Sequence, residues 1–128
     1  MSEPGSSRIH DFRRVLARLD EVLSTPTSEQ DSRDRDSAIL RFELAYELSW
    51  KLIQDLVREE GLESNGPKAA FGNGFQLGWI QDETIWSDMI RDRNLAVHVY
   101  KESLADSLYD RLPGYADAFH RLLDSLPA

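Results

Sequence analysis

The sequence predicts an all-α protein, an antiparallel up-and-down bundle of about five helices. Three observations carry that prediction. Apolar residues recur at three- and four-residue spacings, as the buried stripe of a helix requires. Glycine and proline are unevenly placed: five of the seven glycines lie between Gly61 and Gly78, and neither residue type occurs from Asp31 to Glu60. No run alternates apolar and polar residues as a half-buried strand does, and no repeat of fixed period is found.

The first helix carries Ile9, Phe12, Leu16, Leu19 and Leu23 on one stripe, and Pro26 is placed to end it, since proline lacks a donor and disfavours helix just before itself. Thr27 to Asp36 reads as a polar connection passing into an acid-rich helix start near Asp31, which suits the helix dipole. In this long second helix Ile39, Phe42, Tyr46, Ile53 and Leu56 share a face, flanked by Ala38, Ala45 and Leu52, while Trp50 and Val57 widen the buried arc. Only a narrow strip of Glu43, Glu47, Lys51, Asp55 and Arg58 is polar, with Glu47 and Lys51 well spaced for a pair. A helix this apolar is expected to be buried on two sides.

Gly61 supplies a stop, and Pro67 opens a short third helix reaching Phe75 or Leu77, weakened by Gly72, Gly74 and Gly78. Asp82 can cap a fourth helix in which Trp86, Ile90, Arg93 and Val97 share a face, with Ile85 and Met89 alongside. The last helix follows Lys101, with Ser103 as expected cap, and carries Leu104, Leu108, Leu112, Tyr115, Phe119, Leu122 and Leu126; Pro113 should kink or restart it. The expectation is a single domain over residues 1–128, with 1–7 as a flexible lead-in.

Composition narrows the function classes. A chain of 128 residues with 41% hydrophobic side chains is one domain's worth and can bury a core. The absence of cysteine excludes a disulfide scaffold and any thiolate metal site. With 15 basic against 23 acidic side chains and a net charge of −8, a broad basic surface for duplex DNA is not expected. No apolar run approaches the ~20 residues of a membrane span, and no signal-peptide core is evident, so a soluble, cytoplasmic protein is expected.

Chemistry concentrates in Arg91-Asp92-Arg93-Asn94-Leu95-Ala96-Val97-His98-Val99-Tyr100-Lys101, a stretch of charge +2 in an acidic chain. Arg93 can fork onto phosphate oxygens, and His98 can pass a proton near neutral pH. For RNA cleavage the ribose 2′-hydroxyl supplies the nucleophile, so no metal or other cofactor is needed. Arg91 lies seven residues before His98 and can assist Arg93 or replace it, and the Glu43 and Glu47 strip can either approach this site or remain a solvated face. In an ideal helix His98 is rotated about 140° from Arg93. Either the helix loosens after Asn94, or a symmetric partner supplies the opposing pair. The plain alternative is a histidine satisfying a helix C-terminus, Asn94 as a helix-end hydrogen-bonder and Tyr100 as a boundary aromatic.

Arg93-Asn94-x-x-x-His98-x-Tyr100 resembles the Arg-x4-His-x-Tyr signature of HEPN domains, helical modules encoded beside minimal nucleotidyltransferases in prokaryotes. Arg41-Phe42-Glu43-Leu44-Ala45-Tyr46-Glu47-Leu48-Ser49-Trp50-Lys51 is similar to the long-helix signature of the subfamily called nucleotidyltransferase substrate-binding proteins. The resemblance, which covers roughly Ile9 to Leu126, implies an HEPN-like bundle, a homodimer with paired motifs lining a cleft, and a cognate minimal nucleotidyltransferase as partner. In members that are toxins of toxin-antitoxin pairs it implies a metal-independent ribonuclease. Arg93 would then be the phosphate ligand, His98 the acid and base, Asn94 an orienting group, and Tyr100 the residue that the transferase adenylylates. Other relatives are described only as substrate-binding halves of two-component nucleotidyltransferases, which implies as the alternative a non-catalytic substrate-binding or regulatory subunit; RNA or a nucleotide is the further partner expected of this chain.

Remaining constellations are weaker. Asp117-x-x-His120 has metal-compatible spacing but no second copy, and His10, His98 and His120 would have to converge to form a three-histidine site. Gly72-Asn73-Gly74 reads as a flexible turn rather than a phosphate cradle, and Trp50, Trp79 and Trp86 as core or dimer contacts.

Overall fold

The computed structural model describes residues 6–25 and 32–127. Five helices follow one another, α1 Ser6–Ser24, α2 Ser32–Glu59, α3 Gly66–Gln76, α4 Glu83–Leu95 and α5 Glu102–Ser125, with a 3-10 turn at Ala96–His98 between the last two. No strand occurs among the described residues. Pro26, Asp31 and the lead-in residues 1–5 lie outside the described residues, whereas Ser6 and Ser7, expected in the flexible lead-in, are already helical. Ser32–Asp36 form the first turn of α2, in keeping with a helix start near Asp31.

The long second helix is the centre of the bundle and touches each of the other four. Its Phe42, Ala45, Tyr46, Leu52, Ile53 and Val57 are buried, as its wide apolar arc predicts. The buried side chains of all five helices form one cluster. Within it, aromatic rings run in a chain: Phe42 stacks on Tyr115 at 5.4 Å, Tyr46 meets Phe71 at 5.6 Å, and Phe71 meets Trp86 at 4.7 Å. Such pairs add about 0.5–1.5 kcal/mol each beyond the area they bury. Arg8 pairs with Asp55 at 3.2 Å, fastening the start of α1 to the end of α2.

Helix ends follow their local chemistry. Gly61 and Gly78 both have φ near +80°, a conformation that favours glycine. Backbone bonds that wrap past each glycine close the preceding helix, among them Leu62 N–H to Val57 O at 3.1 Å and Trp79 N–H to Gly74 O at 2.9 Å. Gly72, Asn73 and Gly74 are part of α3 rather than a flexible turn. Asp82 caps α4 by accepting from the N–H groups of Thr84 and Ile85 at 3.1 and 3.3 Å.

Two expectations for α5 are corrected. Lys101, not Ser103, occupies the cap position, and Ser103 sits in the first turn. The helix also continues through Pro113 without restarting. Pro113 is exposed, so its ring lies on the outer face of the helix and displaces no core packing.

Candidate functional site

α4 sets the site. Its core stripe is Trp86, Met89 and Asp92, followed by Ala96 in the 3-10 turn. The expected stripe of Trp86, Ile90, Arg93 and Val97 is therefore out of phase by up to one position: Ile90 is half-buried and Val97 is 65% exposed. The regular helix stops at Leu95, and Val97 no longer follows its rotation.

The inward charge on α4 is Asp92, which is fully buried. Arg111 of α5 holds both carboxylate oxygens, Nε to Oδ2 at 2.6 Å and Nη2 to Oδ1 at 3.0 Å, and the Tyr115 hydroxyl donates to Oδ2. Burial alone would push the Asp92 carboxyl up, but the hydrogen bonds from Arg111 and Tyr115 outweigh it and hold the group below the usual carboxylate range. Burial and the adjacent carboxylate push the Tyr115 phenol well above its ordinary value. This clamp joins α4 to α5 one residue before Arg93.

Arg93 turns the other way, toward α2. Its Nε lies 4.0 Å from Glu47 Oε1, beyond hydrogen-bond reach, and that nitrogen is shut off from water with no acceptor. Glu43 shares this corner: burial raises its carboxyl above the ordinary value, with the Arg93 charge opposing. Tyr46 beneath them is pushed up to about 12 by burial, with Glu47 adding and Arg93 opposing. Glu47 also pairs with Lys51 at 3.7 Å. The acidic strip of α2 thus faces Arg93 instead of being only a solvated surface.

His98 ends the 3-10 turn, whose closure is marked by Lys101 N–H donating to His98 O at 3.0 Å. After Leu95 the backbone tightens into this 3-10 turn, which within one protomer leaves Arg93 beside Glu47 and His98 beside Tyr100. His98 is exposed, its Nδ1 lies 3.4 Å from the Tyr100 hydroxyl, and the two rings meet edge-on at 5.9 Å. Tyr100 is 73% exposed. No hydrogen bond or ion pair joins Arg93 to His98 among the described residues; each has its own neighbour. Asn94 is exposed at the helix end. Arg91 reaches Asp88 at 3.5 Å and Asp92 at 3.6 Å, which places it with the clamp and not beside His98.

A second clamp fixes the other end of the segment. Buried Arg35 of α2 binds Glu102 at 2.6 Å and Asp106 at 3.0 Å, pinning the start of α5 directly after Lys101. The bond to Glu102 is the main reason its guanidinium is raised above its ordinary value. The surface strap from Asn94 to Lys101 is therefore tied at both ends by arginine–carboxylate contacts and carries its imidazole and phenol outward.

The metal alternatives do not assemble. Among the described residues no three histidine, aspartate or glutamate side chains are grouped to hold an ion. His120 pairs with Asp20 at 2.7 Å, and Asp117 pairs with Arg121 at 3.0 Å. Trp79 and Trp86 are buried, and Trp50 is half-buried with its Nε1 unpartnered. No described helix is long and apolar enough to cross a membrane. The residues that sequence reasoning passed over are Asp92, Arg111 and Tyr115. The available signal was the spacing of Met89, Asp92 and Ala96, which puts the acid on the core stripe.

Over residues 7–128 the chain matches the family described as nucleotidyltransferase substrate binding protein like. No curated protein matches it. A protein of Thermus thermophilus known by its crystal structure is similar, with 36% sequence identity and a TM-score of 0.83, over 91% of this chain and 99% of that one.

Proposed function

The chain belongs to the nucleotidyltransferase substrate-binding-protein-like family, and from that premise we propose that it is the partner of a minimal nucleotidyltransferase and bears a phosphodiester site at Arg93 and His98. The observation that carries this reading is the strap itself: an exposed imidazole beside an exposed phenol, one turn beyond an arginine that lacks a full complement of acceptors. Arg93 would hold phosphate oxygens through its fork. His98 would take the 2′-hydroxyl proton as that oxygen attacks the adjacent phosphorus, and an imidazolium would return a proton to the departing 5′-oxygen. Asn94 would orient the strand.

A homodimer suits this chemistry, because Arg93 and His98 have separate neighbours within one protomer and a twofold axis brings two of each to one groove. Leu40 and Leu44, 51% and 39% exposed and next to Glu43 and Glu47 on α2, supply apolar surface for it. Tyr100 would be the adenylyl acceptor: its phenol oxygen attacks the α-phosphorus of ATP, pyrophosphate leaves, and the phenolic proton passes toward His98 or solvent. The modified strap would be bulky and anionic, which closes a phosphate site. In this form the pair works as toxin and antitoxin in a prokaryotic cytoplasm.

A second reading, a non-catalytic substrate-binding or regulatory subunit, is favoured by one observation. Glu47 sits 4.0 Å from Arg93, and a carboxylate there competes with phosphate. Expression of the chain alone, with Arg93→Ala and His98→Ala for comparison, separates the two. The ribonuclease reading expects growth arrest and RNA breakdown that either substitution relieves; toxicity that survives both eliminates it. Capture of the transferase by both variants, without toxicity in any form, selects the binding subunit.

A further inference from the structure

Arg41, part of the long-helix signature, takes no part in the Arg93 site. It is two positions before Glu43 and so points to the opposite side of α2. There it faces α1 across an open groove of about 580 Å3 lined by Asp11, Arg14, Val15, Arg18, Arg41 and Leu48. A smaller hollow of about 180 Å3 shares Arg18 and Arg41 but also carries Glu21 and Asp34, so the positive lining is confined to the larger groove.

The three arginines of this groove differ in how they are paired. Arg8, Arg35, Arg91, Arg93, Arg111 and Arg121 each have a carboxylate within 4.0 Å. Arg14 and Arg41 have none among the described residues, and Arg18 reaches only Glu21, at 3.6 Å with both side chains largely exposed. Arg14 and Arg41 are thus two neighbouring guanidiniums without a carboxylate partner among the described residues, as are Arg13 and Arg58, the latter reaching only the Ser64 carbonyl at 3.4 Å. Arg41 is half-buried, and its Nε is cut off from water with no acceptor, a donor that an incoming anion would satisfy. Val15 and Leu48, both half-buried, add an apolar floor between the cations.

We propose that this groove binds the phosphates of a single-stranded RNA segment, with Arg14, Arg18 and Arg41 as phosphate ligands and Val15 and Leu48 supporting a base or ribose. Three cations against the single Asp11 make a narrow positive stripe in a net-negative protein, too small for a duplex but matched to one strand. The strand would be confined to the larger, open groove, short of Glu21 and Asp34. The site is independent of cleavage at Arg93 and His98, and a nucleoside triphosphate offers the same phosphate chemistry in free form.

The test is fluorescence anisotropy with a labelled single-stranded uridine oligonucleotide across a salt series. It is run in an Arg93→Gln/His98→Ala background so that the motif does not decide the result. Adding Arg14→Gln, Arg18→Gln and Arg41→Gln together is expected to weaken binding at least roughly tenfold and to lower the slope of log K against log salt by about 2, at about 0.7 for each phosphate contact on a single strand. The exposed pair Arg14→Gln/Arg18→Gln, which leaves half-buried Arg41 in place, is expected to lower it by about 1.4. Unchanged affinity in the triple variant overturns the proposal. So does ATP binding as tightly as the oligonucleotide, which assigns the groove to free nucleotide, or binding of polyglutamate without RNA, which assigns it to an acidic protein.

Discussion

Asp92 and Arg93 are neighbours in the chain and belong to opposite kinds of environment. Asp92 is fully buried and accepts three hydrogen bonds, two from Arg111 and one from Tyr115. Arg93 is about a third exposed, and its closest acid, Glu47, stands at 4.0 Å. A buried charge whose partners are complete contributes rigidity and has no capacity left for a ligand. A guanidinium with a distant partner has donors to offer. The contrast assigns stability to the α4–α5 clamp and leaves the Arg93 donors free for the ligand proposed above, and the difference is open to direct attack.

The largest effect is expected at the clamp. Asp92→Ala leaves the Tyr115 hydroxyl and the buried part of Arg111 without their acceptor and should lower unfolding free energy by about 3 kcal/mol in urea denaturation. Tyr115→Phe removes one bond to the same carboxylate and should cost about 1.5 kcal/mol by the same measurement. Acid provides an independent check. Because the folded Asp92 carboxyl is held below its ordinary value, its contribution is complete above the unfolded pKa of about 3.9 and is lost as pH falls through the lower folded value. The stability gap between wild type and Asp92→Asn should therefore close as pH drops below about 4.

Smaller effects are expected around Arg93. Burial raises the Glu43 carboxyl, so the fold prefers its protonated form, and stability falls as pH rises through that raised value. Glu43→Gln should then be slightly more stable than wild type at neutral pH, by less than about 0.5 kcal/mol, with no gain in acid. Arg93→Gln should change unfolding free energy by no more than about 0.5 kcal/mol. A loss at Arg93 as large as that at Asp92 would erase the distinction between the two neighbouring residues.

The bundle was legible because its signals are local. Gly61 and Asp82 mark helix ends through their own backbone and side-chain chemistry, and the apolar arc of α2 needs no partner to be recognised. The rotation of α4 was harder to read. Asp92 counts as surface charge until Arg111 and Tyr115, 19 and 23 residues further on, are brought to it. Val97 looked like core because ideal helical phase was carried past Leu95, where the backbone tightens into a 3-10 turn. The motif residues Arg93, His98 and Tyr100 were legible as a set, yet their separate neighbours, Glu47 for one and each other for the remaining two, depend on tertiary packing. Arg41 was visible only as part of a signature, since its unpaired state depends on which face of α1 it meets.

The central claim, that the strap is presented to a nucleotidyltransferase partner, is tested most directly by mass spectrometry of the chain after incubation with ATP and the transferase encoded beside it. The account predicts an adenylyl group on Tyr100, absent from Tyr100→Phe. An unmodified Tyr100 in the presence of a transferase that labels another residue would contradict it.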